Sequence, residues 1–213
     1  IAINAHANAV RNPRAIVREP LSLERYLESR IISSPLCLYD CDRYADGSTV
    51  IIVSAADALD EVTCRPVRIA GASAGVARFS WDQGEWLGAY PTGTQLWEKT
   101  DYRPDQVDVA QLYDGFSFIT VMWLEALGFC GRSEAGDFIE GGSRIALGGA
   151  LPLNTGGGQL GGGRLHGFGF AHEAVVQLRG NGGARQVPGE PRIAVATSGG
   201  GPDSTALLLA CDG

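Results

Sequence analysis

Two glycine-rich stretches hold the groups best suited to chemistry. The first is Asn154-Thr155-Gly156-Gly157-Gly158-Gln159-Leu160-Gly161-Gly162-Gly163-Arg164-Leu165-His166-Gly167, with an ionisable imidazole, His166, near its end. Glycine at this density lets a backbone approach a ligand and adopt positive φ. A helix is expected from Phe168 to Arg179, and its first N–H groups would face whatever the loop holds. The second stretch, Ser198-Gly199-Gly200-Gly201, follows a short apolar strand, Ile193 to Ala196. A turn between two strands would point the Gly199 and Gly200 N–H groups together as oxyanion donors. Each stretch alone also reads as a tight turn. Two in one chain favour a built site.

A third position joins them. Tyr113 ends an expected strand, Val107 to Leu112, and is followed by Asp114-Gly115-Phe116. A phenol ordinarily titrates at about 10, so it serves as an acid, or as a base if its pKa is lowered. Its other reading is a buried tyrosine satisfied by a backbone carbonyl. Asp114 reads as a partner in proton transfer or as a turn carboxylate bonding backbone N–H groups. His166 reads as an acid or base, or as a helix-start histidine bonded locally. Arg164 would pair with a phosphate or carboxylate, or face solvent. His6, in an N-terminal helix, and His172, beside Glu173 on the later helix, read as structural.

The elements that must position these groups alternate. Ile1 to Val10 reads as helix, ended by Asn12-Pro13. Ser22 is a candidate N-cap for a helix through Arg30, with Glu24 favourable in its first turn. Thr49 to Ser54 reads as a buried strand and Ala55 to Leu59 as a short helix. Val67 to Ala70 is a strand ending at Gly71. Phe116 to Leu127 is a helix closed by Gly128. Gly131 to Gly142 reads as polar loop. Ile193 to Ala196 and Thr205 to Ala210 are closing strands. Residues 73 to 104 carry Trp81, Trp86, Trp97, Tyr90 and Tyr102 in a long irregular stretch. They would pack as a loop held by its own aromatics, or form a lid or subunit contact. Alternating strands and helices imply an α/β fold with a covered sheet.

The chain has 213 residues, 45% hydrophobic, enough for a sizeable core in one large or two small domains. Its net charge of −7 and the lack of a basic stripe argue against nucleic acid as a partner. No apolar run reaches the roughly 18 residues of a membrane span, and no signal peptide is visible. The chain opens at Ile1 and its one methionine is Met122. An earlier segment removed by processing or truncation is therefore expected, or a fragment of a longer fold. Cys37, Cys41, Cys64, Cys130 and Cys211 form no CxxC pair. An odd count without metal spacing favours reduced thiols, a cytoplasmic setting and no metal site.

Four stretches together resemble the thiolase superfamily, in its sterol-carrier or lipid-transfer branch. Pro35-Leu36-Cys37-Leu38-Tyr39-Asp40-Cys41 with Asp46-Gly47-Ser48 resembles PL-x-x-x-D-C…DGA. Val67-Arg68-Ile69-Ala70-Gly71 resembles the opening strand of the second half. Tyr113-Asp114-Gly115-Phe116 sits where thiolases have Asn-Glu-Ala-Phe and the sterol-carrier branch has His-Asp-x-Phe. Asn154 to Gly167, then Gln177-Leu178-Arg179-Gly180, resembles N-x-x-GG-x-x-x-x-GHP-x-G…QLRG. The resemblance implies a thiolase-like layered fold. Residues 1–63 would be the C-terminal part of the N-terminal half, and residues 64–213 the complete C-terminal half.

Departures from the pattern bear on activity. The second thiolase cysteine, of C-x-GGG, falls on Thr197. The motif histidine falls on Arg164, with His166 two residues beyond, and the motif asparagine falls on Tyr113. A thiol titrates at about 8.5, and threonine has no comparable proton. Thioester exchange through these positions is disfavoured, while an acyl-CoA would still bind. Some lipid-transfer-type members are aldolases acting on steroid side-chain CoA esters, and a Tyr in this motif region is associated with them. Retro-aldol cleavage of a β-hydroxyacyl-CoA needs a base for the hydroxyl proton, donors for the thioester enolate, and an acid for the enolate carbon. It needs no covalent nucleophile.

The resemblance thus implies a carbon–carbon lyase with Tyr113, His166 and Asp114 catalytic. Gly199, Gly200, Arg164 and Thr197 would bind oxyanion or substrate. CoA would enter as part of the substrate, with no other cofactor. A homodimer is implied, as is a complex with an OB-fold, zinc-ribbon acyl-CoA-associated protein, to which any zinc would belong. The alternatives are a degenerate acetyl-CoA acyltransferase and a non-catalytic acyl-CoA or lipid carrier.

Overall fold

Side chains alternate between the two faces of a strand, and here that alternation sorts the core into layers. The computed structural model describes residues 1–61, 63–76 and 88–211. In chain order it forms helices α1 (Ala2–Val10) and α2 (Leu23–Leu27), then strands β1 (Ile31–Ser33) and β2 (Leu36–Cys37). These are followed by β3 (Arg68–Val76), α3 (Ala89–Glu98), β4 (Val109–Gln111), α4 (Ser117–Ala126) and α5 (Ala135–Ile139). Next come α6 (Gly158–Gly161), α7 (Phe168–Leu178), β5 (Ile193–Gly199) and β6 (Asp203–Ala210).

The main sheet has the order β3-β6-β5-β4. β4 and β5 run parallel, while β6 is antiparallel to both β5 and β3. On β5, Ile193 and Val195 enter the core cluster shared with Trp123 and Leu96, on the α3–α4 side. Ala194 and Ala196 enter the opposite cluster, with Phe170, Ala174 and Leu178 of α7. Phe170, Ala171, Glu173, Ala174, Gln177 and Leu178 are the buried residues of α7, at helical spacing. The sheet is therefore covered on both faces, in the α/β layered arrangement that the alternating elements imply.

Several boundaries differ from expectation. Ser22 caps α2, its Oγ accepting from Arg25 N at 3.1 Å, but the helix ends at Leu27. The short helix expected at Ala55 to Leu59 is a 3-10 turn, Ala56–Glu61. The expected polar loop from Gly131 contains α5, and β3 runs on to Val76. The buried strand expected at Thr49 to Ser54 is absent. Val50 to Val53 are exposed, Ile52 at 90%. A β-branched run becomes a strand only where a neighbour completes its ladder, and no described strand pairs with it.

The described aromatics of the 73–104 stretch pack inward. Tyr90, Trp97 and Tyr102 lie against the main core cluster. Trp97 Nε1 donates to Leu127 O at 3.0 Å, and the Tyr90 hydroxyl to Glu125 Oε2 at 2.7 Å. Trp81 and Trp86 lie outside the described residues.

Candidate active site

The site begins where β4 runs out. Leu112 N donates to Asn154 Oδ1 at 2.7 Å, and Asn154 Nδ2 donates to Leu112 O at 2.8 Å. A side-chain amide thus replaces a neighbouring strand. On the other side, Tyr113 N donates to Thr197 Oγ1 at 2.8 Å. Both backbone neighbours of the Tyr113 side chain are held, as buried peptide groups require. Thr197 is 2% exposed, and it serves here as a backbone acceptor.

The Tyr113 hydroxyl lies 3.5 Å from His166 Nδ1. The Tyr113 ring packs 6.0 Å from Phe170, measured between centroids. His166 is exposed and holds φ at +46°, the left-handed region where a side chain is strained. The geometry thus joins two groups 53 positions apart in the chain, a phenol and an imidazole at the outer limit of hydrogen bonding.

Asp114 points away from solvent, at 0% exposure. Its Oδ1 accepts from Gln159 N at 2.7 Å and its Oδ2 from Asn154 Nδ2 at 3.2 Å. Burial pushes its carboxyl up to about 7, against the lowering effect of the Gln159 and Leu160 N–H groups. This carboxylate clamps the glycine-rich loop from a fully buried position. Gly158, at φ +58°, has no alternative residue, because a Cβ there would run into Asp114 Oδ2.

The glycine run does two jobs, one of them unforeseen. Gly157 and Gly161 lie against Ala9 and Ala5 of α1, so part of the run is a helix-packing seam. Gly156, Gly158, Gly162 and Gly163 border a cavity of about 370 Å³. His166, Phe170, Gln159, His172 and Glu173 also line it, with residues 45–50 along one side. Tyr113, Asp114 and Thr197 do not. His166 is common to the pair and the cavity.

The second glycine-rich stretch is the β5–β6 turn, as expected. Gly200 N donates to Asp203 O at 2.9 Å. That N–H is spent on closing the hairpin and is not free for an oxyanion. Gly199 O accepts from Trp123 Nε1 at 2.9 Å, which seats the turn on α4.

Arg164 finds its partner within the chain. Its Nε lies 3.2 Å from Asp42 Oδ2, an ion-pair separation without hydrogen-bond alignment. Its guanidinium also sits 5.9 Å from the Tyr44 ring centroid. Asp42 is the residue that sequence reasoning missed. Asp42 N donates to Gly115 O at 3.1 Å, and Arg164 N to Arg43 O at 2.9 Å. The segment around Asp42 is therefore laced to both motif regions. Burial pushes the Asp42 carboxyl up, opposed by the charges of Arg164 and His166. No local motif marks Asp42; only the meeting of distant segments does.

Of the remaining histidines, His6 is buried edge-on to Tyr39, with 5.5 Å between centroids. Desolvation first, then Arg43, lowers its pKa to about 4. His172 is half-buried in the cavity wall. All five cysteines are free, and among the described residues no cluster of three or more His, Cys, Asp or Glu could hold a metal ion. Among the described residues no helix is long and apolar enough to cross a membrane.

Comparison with known proteins identifies the family and the fold. Residues 85–210 match the family described as thiolase C-terminal domain-like. The chain is 37% identical to the 17-hydroxy-3-oxo-4-pregnene-20-carboxyl-CoA lyase of Mycobacterium tuberculosis, over 98% of this chain and 56% of that protein. It is 34% identical to the steroid side-chain-cleaving aldolase of Thermomonospora curvata, over 100% of this chain and 56% of that protein. Its fold superimposes on a solved structure, the Ltp2-ChsH2(DUF35) aldolase, with a TM-score of 0.92 and 33% identity, covering 100% of this chain and 57% of the other. The chain spans about half the length of the curated relatives it matches. By its family match and its fold, the chain belongs to the thiolase superfamily, as a thiolase C-terminal domain-like protein similar to steroid side-chain aldolases.

Proposed function

We propose that this chain is part of a carbon–carbon lyase that cleaves a β-hydroxyacyl-CoA, with a steroid side-chain thioester as substrate, to a ketone and a shorter acyl-CoA. The observation that carries the reading is the Tyr113 hydroxyl 3.5 Å from His166 Nδ1. Cleavage begins when a base takes the proton of the β-hydroxyl. The O–H electrons form the ketone C=O, the Cα–Cβ bond breaks, and its electron pair passes into the thioester enolate. An acid then protonates Cα. Tyr113 and His166 are the acid–base pair for these transfers. Asp114, Asn154 and Thr197 position Tyr113, and Arg164 pairs with Asp42, whose carboxyl also feels the His166 charge. Gly199 N–H is the remaining candidate donor at the turn for the enolate oxygen.

Thr197 speaks against thiolysis through this position. Its hydroxyl is buried and already accepts the Tyr113 N–H. The named activities of the two curated relatives support the lyase reading. CoA enters as part of the substrate, without a further cofactor. The reading includes a division of the chain at residues 63/64 between two thiolase-like halves, a cytoplasmic setting and a homodimer. It also includes a heteromeric complex with an OB-fold, zinc-ribbon partner, in keeping with the two-component name of the matching structure.

The test is incubation of the full-length protein, with and without copurifying partners, with a β-hydroxyacyl-CoA bearing a tertiary hydroxyl. Ketone and short acyl-CoA should appear in equal amounts. Consumption of a β-ketoacyl-CoA by free CoA, with no cleavage of the hydroxy compound, would replace the lyase with the acyltransferase reading. Binding without turnover would favour the carrier. Light scattering should give a dimer mass, and a monomer at micromolar concentration contradicts that part.

A further inference from the structure

The cavity beside His166 has a volume of about 370 Å³, within the range of roughly 300–1,000 Å³ usual for small-molecule sites. Ile16, Leu165 and Phe170 make part of its lining apolar. Apart from Gln159, the buried polar side chains of the wall, Gln111 and Glu173, are already satisfied. Gln111 Nε2 donates to Thr155 Oγ1, whose hydroxyl donates to Glu173. Glu173 also accepts hydrogen bonds from Arg185 Nε and Nη2 on its two carboxylate oxygens.

Gln159 is the exception. It borders the cavity, it is 2% exposed, and both Nε2 and Oε1 of its carboxamide lack a partner. A buried, unpaired amide is costly and calls for a physical reason. Its backbone is fixed, with N on Asp114 Oδ1 and O accepting from Arg43 N. The terminal torsion of a glutamine is broad and soft, so the amide can exchange its donor and acceptor ends without moving the loop.

Resting on the lyase reading, we infer that this cavity receives the apolar carbon skeleton of the acyl group and that Gln159 is its polar anchor, pairing with an oxygen on that skeleton. Nε2 donates to a ketone and Oε1 accepts from an alcohol, so Gln159 selects for an oxygenated skeleton over a bare hydrocarbon one. His166, shared by cavity wall and acid–base pair, sets the skeleton next to the reacting bond.

The test titrates the full-length protein with a 3-oxo-4-ene steroid ketone and with the same skeleton lacking the ring oxygen, by calorimetry. The free protein should prefer the oxygenated probe by about tenfold, the worth of one buried hydrogen bond. Gln159→Leu should erase the preference while the melting temperature of the ligand-free protein holds or rises, because the change removes an unpaired amide. Gln159→Met serves if the leucine variant does not fold. An unpaired side chain of purely structural use gives the opposite pattern, a lowered melting temperature with the preference intact, and overturns the inference. Equal affinity for the two probes in the unsubstituted protein, or no binding of either, also overturns it. Cleavage measured in the same preparations is independent: a protein that cleaves without a Gln159-dependent preference keeps the lyase and loses this pocket.

Discussion

Asp114 Oδ1 accepts the backbone N–H of Gln159 at 2.7 Å, so a residue of the Tyr-Asp-Gly-Phe motif ties down the first turn of the glycine-rich loop. One buried carboxylate thereby connects the group that presents Tyr113 with the loop that presents His166. The consequences are measurable.

The first is a pH dependence of stability. Burial raises the Asp114 carboxyl to about 7, whereas an unfolded chain carries it at about 3.9. The native state holds the proton more tightly, so this group's contribution is complete below about pH 4 and is lost as pH rises through about 7. Asp114→Asn should flatten the fall in melting temperature over that window. It should also cost about 1–3 kcal/mol at low pH, because an amide places a donor against Asn154 Nδ2. Thermal melts of both proteins from pH 4 to 8 check this. A parallel fall in the two would exclude Asp114 as its source.

Tyr113→Phe removes one hydroxyl whose recorded side-chain partner is His166. The melting temperature should stay unchanged while kcat for β-hydroxyacyl-CoA cleavage falls about 10²–10⁴-fold, the usual worth of a positioned proton donor or acceptor. An unaltered rate takes Tyr113 out of the mechanism.

Thr197→Val strips the acceptor from a peptide N–H held at 2.8 Å. The orphaned Tyr113 N–H should destabilise the fold by about 1–3 kcal/mol, with kcat reduced because the phenol loses its support. Thr197→Ser keeps the oxygen and should recover most of both. Denaturant titration and steady-state rates on the pair decide the matter. A valine variant as stable and active as the parent would show that the bond carries no weight.

Cys64 is exposed, whereas Cys37 and Cys211 are buried. Iodoacetamide should modify Cys64 first and leave cleavage intact, as mass spectrometry with a parallel assay will show. Inactivation in step with labelling of any cysteine, and protection by substrate, would restore a thiol mechanism.

Much of the fold is legible in the linear order of residues. Apolar runs of strand and helix length follow one another, and Gly128, at φ +73°, closes α4 where a C′ glycine was expected. The β5–β6 turn falls on its glycines, and Ser22 caps its helix. These features obey local rules, such as side-chain periodicity, capping and the conformational range of glycine, so nearby residues suffice to reveal them. The motif positions of Tyr113 and His166 could be marked in the same way.

What the tertiary structure decided is who meets whom. The β-branched run from Thr49 to Ser54 has strand composition but no ladder partner among the described residues, and composition cannot supply one. Asp114 reads from sequence as a proton-transfer partner or as a turn carboxylate, and only folding shows it buried and bonded to the loop N–H of Gln159. Gly200 offers an N–H that the hairpin has already taken. Asp42 carries no motif and matters only because folding sets it 3.2 Å from Arg164 Nε. Hydrogen bonds and ion pairs act over a few ångströms, here between residues as far apart in sequence as Asp42 and Arg164, so they exist only once the chain has folded.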